Sequence, residues 1–312
     1  EHYAKRSTAM PVRIANPYDR SMRTGVPVFN GRLQDAFARF GLQVPWEHPD
    51  RGGWDKDRDI VIVTNEDAIR IPPDIAVIAI QHGCAPEYFA RCQDPWCADI
   101  NPKQIAASKR PRTYWVACSE ACSHEYFKHH GYHADRIIIN GLDTEMFFPL
   151  ERQVRKDVRR PVITHHCSDK RKGVEQIGAV AAELGDEFLV RALDAPPETV
   201  ADHMRTADMF LCLSVAEGCP CVVNEALATG LVVVSTDVGL YWRAEDAPPG
   251  VSFRWQDRDD ASLVAGAIRE AWKQRMALDG RRWALRWLGL SLMGQQYIEA
   301  VAEAAARFGV NP

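Results

Sequence analysis

The stretch "DMFLCLSVAEGCPCVVNEALATGLVVVSTDVG", residues 208–239, places a helix of small residues between two apolar runs. The runs "DMFLCLSV" and "LVVVSTDVG" are apolar on both faces, which is typical of strands buried in a parallel sheet. The stretch therefore predicts a β-α-β unit. Glu217 follows the first strand, and Glu225 lies eight positions later in the helix. These carboxylates either hold a polar ligand at the mouth of a sheet or flank a solvated turn.

The second half of the chain repeats this β-α-β order. Strands are predicted at "PVITHH" (161–166) and "EFLVRAL" (187–193), on either side of an amphipathic helix. The apolar face of that helix comprises Val174, Ile177, Ala181 and Leu184. Gly185 ends the helix, because glycine readily adopts the left-handed conformation that closes many helices.

The first half also alternates strands and helices. Strands are predicted at 12–16, 59–65, 75–83, 113–119 and 136–140. The helix after the first strand ends at Gly41, and its apolar face comprises Phe29, Leu33, Phe37 and Phe40.

Together these patterns predict an α/β protein with two Rossmann-like, doubly wound parallel sheets that face a cleft. The predicted domains are residues 1–148 and 161–290, joined by a charged, proline-bounded linker at 149–160. We expect a final helix, 291–312, to pack back on the first domain.

The composition excludes several classes of protein. Hydrophobic residues make up 46% of the chain and charged residues 26%, which is usual for a soluble globular protein. The formal net charge of −4 gives no overall attraction to nucleic acid. No apolar run approaches the ~20 residues that cross a bilayer. The nine cysteines are odd in number and lack disulfide or zinc spacing, so we expect reduced thiols and a cytoplasmic location.

Three motifs resemble retaining glycosyltransferases of the GT-B fold, in the glycosyltransferase family 4 group (group 1). "EGCPCVVNEALATG" (217–230) is similar to the E-G-x-P-x-x-x-x-E-A segment of that family. "INGLDTEMFFP" (139–149) resembles its N-G-V-D-x-x-x-F-x-P signature between the domains. "THHCSDKRKGVE" (164–175) resembles its loop after the first strand of the second domain. The resemblance covers residues 135–240 well and the N-terminal half loosely.

The resemblance implies a site for a nucleotide sugar. Glu217 would contact the sugar hydroxyls, Glu225 the ribose hydroxyls, and Lys172 the diphosphate that leaves with negative charge. His166 stands where the family usually has an arginine, and a histidine is mostly neutral near pH 7 unless anions favour its charged form. The backbone that would approach the sugar and diphosphate belongs to Gly218, Cys219, Pro220, Cys221 and Val222.

The first half supplies further candidates. His82 follows a predicted strand, in the neighbourhood where family members often carry a histidine that contacts the transferred sugar. Gly25 matches the family's glycine-containing loop after the first strand, and Arg20 and Arg23 beside it are candidate acceptor or phosphate contacts. The candidate catalytic residues are therefore His82, Glu217 and Lys172.

The expected reaction transfers a hexosyl group from a UDP-, GDP- or ADP-sugar to a hydroxyl of a glycan, a lipid-linked acceptor or a small molecule. We expect no cofactor and no metal site. The acidic residues of "DKDRD" (55–59) precede a strand instead of following one, so we expect them to be solvated in a loop. The adjacent His165 and His166 would point to opposite faces of a strand and could not bind one metal ion together. Two alternatives stay open: a nucleotide-sugar epimerase on the same fold, and a non-catalytic module that binds nucleotide sugars. The basic stretches 109–112 and 152–160 are either exposed loops or contacts to anionic lipid at a membrane surface.

Overall fold

The computed structural model describes residues 12–17, 25–155, 158–242 and 247–311. These residues form two parallel sheets, each with a hydrophobic core on both of its faces. The prediction of two parallel-sheet α/β domains, termed here the N-lobe and the C-lobe, is confirmed. Among the described helices, none is both long enough and apolar enough to span a membrane.

The N-lobe sheet has six strands in the order β2-β1-β3-β4-β5-β6. The strands are β1 (Val12–Ala15), β2 (Trp46–Glu47), β3 (Ile60–Thr64), β4 (Ala76–Gln81), β5 (Thr113–Ala117) and β6 (Arg136–Ile137). The helices of this half are α1 (Gly25–Ala38), α2 (Ala85–Cys92), α3 (Pro95–Ser108) and α4 (Glu120–His130). Strands β3 and β4 are buried along their whole length, as expected for central strands with apolar residues on both faces.

The C-lobe sheet has five strands in the order β11-β10-β9-β7-β8. They are β7 (Val162–His165), β8 (Leu189–Ala192), β9 (Met209–Cys212), β10 (Val232–Thr236) and β11 (Val251–Phe253). The helices are α5 (Glu151–Arg155), α6 (Ile177–Leu184), α7 (Val200–Arg205), α8 (Cys221–Ala228), α9 (Ala261–Lys273) and α10 (Gly280–Trp287). Strand β7 pairs with β8 on one side and β9 on the other, so the chain reverses its winding direction at β7.

The last helix, α11 (Leu290–Phe308), belongs to the N-lobe core. Its buried side chains, including Met293 and Tyr297, join those of α1 in one hydrophobic cluster. At Gly294 an added Cβ would lie 2.7 Å from the backbone oxygen of Ala36, so the two helices approach closely there.

The chain therefore passes between the lobes twice. The first crossing follows β6, and the second joins α10 to α11. The two crossings touch, because the backbone N–H of Leu142 donates to the carbonyl oxygen of Leu288 at 2.8 Å and Leu142 forms a parallel bridge with Gly289.

Several local predictions differ from the structure. Phe40 is 45% exposed because α1 ends at Ala38, and Val174 is exposed because α6 begins only at Ile177. Asp59, predicted as solvated charge, is buried and pairs with Arg13 at 3.3 Å. Strands β2 and β11 are absent from the prediction, since two or three residues carry no readable periodicity.

The predicted linker, 149–160, contains the short helix α5. The buried side chain of Gln153 holds this helix on the C-lobe, since its amide donates to the carbonyl oxygens of Arg205 at 2.7 Å and Ala207 at 2.6 Å. The part of the predicted linker that forms α5 thus packs on the C-lobe.

Candidate functional site

The candidate site lies where β7 and β9 end side by side. In parallel α/β sheets, ligands bind outside the carboxyl ends of the strands, at the point where the strand order reverses. Here that point is between β7 and β9. The loop after β7 carries His166 and Lys172, and the loop after β9 carries Glu217. The fold thereby brings these three sequence-predicted residues to one edge of the C-lobe sheet.

Glu217 and Lys172 form a buried ion pair. The Lys172 ammonium donates to Oε1 of Glu217, and the Ser214 hydroxyl donates to the same oxygen at 2.9 Å. The two side chains are only 17% (Lys172) and 10% (Glu217) exposed. The site thus holds one cation and one carboxylate in a largely water-free position.

Both members of this pair are charged at neutral pH. Burial acts to raise the pKa of Glu217, but attraction to Lys172 and Arg171 outweighs it and holds the pKa below its usual value. Burial likewise acts to lower the pKa of Lys172, and the neighbouring carboxylate of Glu217 more than reverses this effect.

The loops that carry the pair are fixed against each other. Gly173 has a φ of +87°, and an added Cβ would lie 2.5 Å from Cβ of Leu213, so the loop after β7 needs a glycine there. The guanidinium of Arg258 donates to the carbonyl oxygens of Arg171 at 3.1 Å and Leu213 at 2.9 Å. Arg258 thus holds the two loops together, a role that the sequence analysis did not predict.

Glu225, the second glutamate, is also buried and ion-paired, but with the other lobe. Nη2 of Arg32, on α1, donates to its Oε1 at 2.5 Å. Burial raises the pKa of Glu225, and Arg32 and His166 offset only part of that rise. The sequence carried no signal for Arg32, because its partner lies 193 residues away in a different lobe.

Gly218 lies at a close contact between the lobes. An added Cβ would lie 2.1 Å from the carbonyl oxygen of His82 and 2.9 Å from Sγ of Cys118. Next to it, the side-chain amide of Asn140 donates to the carbonyl oxygen of Cys219 at 3.2 Å. The loop from Glu217 to Pro220 is therefore packed directly on the N-lobe and the first crossing.

His82 lies at the carboxyl end of β4, facing this loop. Its ring is in edge-to-face contact with Phe29 at 4.7 Å, and its backbone N–H donates to Oδ1 of Asn65 at 3.1 Å. Its Nε2 atom is buried and has no hydrogen-bond partner among the described residues. The imidazole is thus held in place with one nitrogen unused.

The remaining candidates are near the site or at its margin. His166, Lys172, Glu217, Pro220 and Val222 line a cavity of about 10 Å³. Cys219 and Pro220 are buried, and Cys221 begins α8.

Gly25 begins α1, and an added Cβ there would meet nothing within 4 Å, so no close backbone approach requires a glycine. Arg20 and Arg23 lie outside the described residues.

The basic stretch 109–112 has a structural role. Arg110 donates to the carbonyl oxygens of Pro72 at 2.6 Å and Ile75 at 2.7 Å. Its burial lowers the pKa of the guanidinium to about 10. Arg112 donates to the carbonyl oxygen of Lys56 at 3.4 Å. These arginines hold loops at the amino ends of the N-lobe strands, away from the cleft.

Comparison with known proteins finds a family similarity in the second half of the chain. Residues 152–274 match the family model described as Glycosyl transferases group 1. This part of the chain is similar to a glycosyl transferases group 1 domain. This domain contains β7 to β11, and with them Lys172, Glu217 and Glu225. A search of curated proteins found no significant match.

Solved structures resemble the chain over nearly its whole length. Sucrose-phosphate synthase from Thermosynechococcus elongatus has a TM-score of 0.75 at 15% identity, covering 96% of this chain and 100% of that one. HepE of Anabaena, solved with UDP and glucose, has a TM-score of 0.68 at 13% identity and covers 94% and 99%. WaaG, a glycosyltransferase involved in lipopolysaccharide biosynthesis, has a TM-score of 0.65 at 16% identity and covers 93% and 99%. The group 1 domain therefore belongs to a chain with the GT-B fold.

Proposed function

We propose that this protein is a retaining glycosyltransferase that transfers a sugar from a nucleoside diphosphate to a hydroxyl acceptor. The observation that carries the proposal is the buried pair of Lys172 and Glu217 at the carboxyl ends of β7 and β9. A buried ion pair contributes little net stability compared with apolar residues of similar size. Its position at the point where the strand order reverses fits ligand binding better than structural support.

Lys172 is proposed to stabilise the leaving group. The bond that breaks joins the anomeric carbon of the sugar to a phosphate oxygen, and negative charge accumulates on the departing diphosphate. A fixed ammonium beside that oxygen stabilises the transition state more than the ground state. Glu217 is proposed to accept hydrogen bonds from the sugar hydroxyls, with Ser214 fixing the orientation of its carboxylate.

Glu225 and the start of α8 are proposed to hold the nucleotide. A buried carboxylate such as Glu225 can accept hydrogen bonds from both ribose hydroxyls. The first backbone N–H groups of α8, at Cys221 and Val222, have no partner within the helix and favour an anion. Gly218, Cys219 and Pro220 lead into that helix, and His166 stands at the cavity beside it.

Donor binding is proposed to involve a separation of the lobes. The loop from Glu217 to Pro220 packs on the N-lobe at His82, and Glu225 is paired with Arg32 of the N-lobe. We expect a nucleotide sugar to enter when these contacts open and the lobes to close on it again.

Retention is proposed to proceed by attack of the acceptor on the same face as the departing diphosphate, whose oxygen takes the acceptor proton. Glu217 already has Lys172 and Ser214 on one oxygen, which suits hydroxyl binding better than nucleophilic attack. His82 is proposed to contact the transferred sugar through its unused ring nitrogen. Independence from metal ions stays a prediction, and transfer measured with and without EDTA would test it.

The test is a thermal-shift screen with UDP-, GDP- and ADP-sugars, beginning with UDP-glucose because HepE of Anabaena has been solved with that compound. A ligand at 100 times its Kd stabilises the folded state by about 2.7 kcal/mol. We expect one donor to give such a shift and Lys172→Ala and Glu225→Ala to abolish it. Lys170→Ala is the matched control, because Lys170 is in the same loop but is exposed and paired with Glu175 at 3.1 Å.

The identified donor then separates the three hypotheses. Sugar appearing on an added alcohol or glycan with the configuration of the donor supports the transferase. An isomerised nucleotide sugar from the donor alone would instead identify an epimerase. Nucleotide binding with neither product would identify a non-catalytic module.

A further inference from the structure

Arg32 joins the N-lobe to the position proposed for the ribose. It lies on α1, and Nη2 donates to Oε1 of Glu225 on α8 at 2.5 Å. The Arg32 side chain is 15% exposed and the Glu225 side chain 8%. The guanidinium also lies 5.9 Å from the ring centre of Phe147, in the first crossing between the lobes. The pair is therefore enclosed by both lobes and by the chain that connects them.

This contact and the proposed ribose contact need the same carboxylate. Arg32 holds Oε1, whereas a ribose bound through both hydroxyls uses the carboxylate oxygens of Glu225. A nucleotide that reaches Glu225 thus takes a partner away from Arg32. A guanidinium left buried without an anion costs about 3–5 kcal/mol, so Arg32 needs another anion once the lobes have closed over a bound nucleotide.

The nucleotide itself supplies that anion next to Arg32. Arg32 is paired with Glu225, and Cys221 lies four residues before Glu225, one turn earlier on the same side of α8. Cys221 is the first residue of α8, where the proposed function places the phosphates. The guanidinium thus lies about one helical turn from the proposed phosphate position, and its planar donor geometry suits two phosphate oxygens.

We infer that Arg32 exchanges partners when the donor binds: the ribose hydroxyls take Glu225, and the guanidinium passes to the phosphates of the nucleoside diphosphate. The inference rests on the proposed function. It makes Arg32 a donor-binding residue contributed by the N-lobe, beside Lys172 of the C-lobe.

The exchange predicts that replacing Arg32 weakens the binding of a nucleoside diphosphate but not that of the nucleoside, and calorimetry can measure both affinities. UDP and uridine differ only in the phosphates, and GDP with guanosine and ADP with adenosine are the equivalent pairs for other bases. In Arg32→Gln we expect the affinity for the nucleoside diphosphate to fall about 10- to 100-fold, the usual effect of losing a charge-assisted hydrogen bond. Affinity for the nucleoside should stay unchanged or increase, because Glu225 no longer has a competing partner.

The matched control is Arg39→Gln. Arg39 follows the same helix, but its pair with Asp143 spans 3.5 Å and both side chains are more than a third exposed. We expect this variant to bind both members of each pair as the wild-type protein does.

Two results for Arg32→Gln would overturn the inference. If the affinities for UDP and for uridine fall equally, Arg32 has only a structural role. If the affinity for UDP is unchanged or higher, Arg32 does not bind the phosphates and only competes with the ribose for Glu225. If Arg32→Gln does not fold, Arg32→Lys provides the test, with a several-fold loss for UDP alone expected and equal changes for both ligands contradicting it. A wild-type protein that binds none of the three diphosphates would refute the proposed function itself.

Discussion

Replacing Gly218 with alanine would probe the close packing of the C-lobe on the N-lobe. The new Cβ would lie 2.1 Å from the carbonyl oxygen of His82, whereas non-bonded heavy atoms prefer roughly 3.5 Å. The loop and the N-lobe backbone must therefore separate by about 1 Å or more. Over-packing of this kind costs about 1–3 kcal/mol. A displacement of about 1 Å beside the reacting groups can reduce a catalytic rate about 100-fold.

The assay combines thermal unfolding with the transfer rate for the donor found by the screen. We expect the melting temperature of Gly218→Ala to fall by about 2–10 °C and the rate to fall about 100-fold. Gly266→Ala, on α9, is the control because its Cβ would meet nothing within 4 Å. It should be as stable as the wild type or slightly more stable, since alanine favours helix. Wild-type melting and wild-type transfer in Gly218→Ala would refute the contact with His82.

Three further predictions test the buried charges and the helix contact. Lys172→Met leaves Glu217 buried without its ammonium, so unfolding by urea at pH 7 should show a loss of about 3–5 kcal/mol. Because Lys172 lowers the pKa of Glu217, that loss should shrink as the pH falls below the usual carboxyl range, and a pH-independent loss would contradict the pairing. Burial raises the pKa of Glu125 to about 8 from its usual 4.5. The stability that Glu125 contributes is therefore complete below about pH 4.5 and declines as the pH rises to about 8, by up to about 1.4 kcal/mol per pH unit. Glu125→Gln should flatten this dependence in urea titrations between pH 5 and 8, and an unchanged slope would show that Glu125 is ionised throughout. Gly294→Ala should destabilise the protein by about 1–3 kcal/mol through its contact with Ala36, whereas Gly178→Ala, with open space around it, should not.

The central strands were predictable because burial on both faces leaves a continuous apolar run. Strands β3 and β4 are examples, with every residue buried. Helix boundaries were less predictable, since Phe40 and Val174 continue an apolar pattern beyond the residues that are helical. There the exact point at which the backbone leaves the helix decides exposure, and that point depends on the turn and on tertiary packing.

The meeting of Lys172 with Glu217 follows from topology, because loops after neighbouring parallel strands share one sheet edge. The pairing of Arg32 with Glu225 does not follow in this way. It depends on how α1 of one lobe is placed against α8 of the other, and no local periodicity encodes that placement. The role of Arg258 was not predictable for a similar reason. It donates hydrogen bonds to backbone carbonyl oxygens, which every residue has, so its partners cannot be recognised from their side chains in the sequence.

The two touching crossings at Leu142 and Gly289 restrict how the cleft can widen. Two bodies joined by a pair of adjacent backbone segments can swing about the line through those segments, but sliding or twisting apart would stretch one segment or the other. We therefore expect widening to be mainly a hinge rotation about that line. Asn140 is two residues from Leu142, close to this hinge line, so we expect its hydrogen bond to Cys219 to persist while the cleft opens. The loop that carries Glu217 would then keep its position relative to the hinge and return to the same contacts when the lobes close.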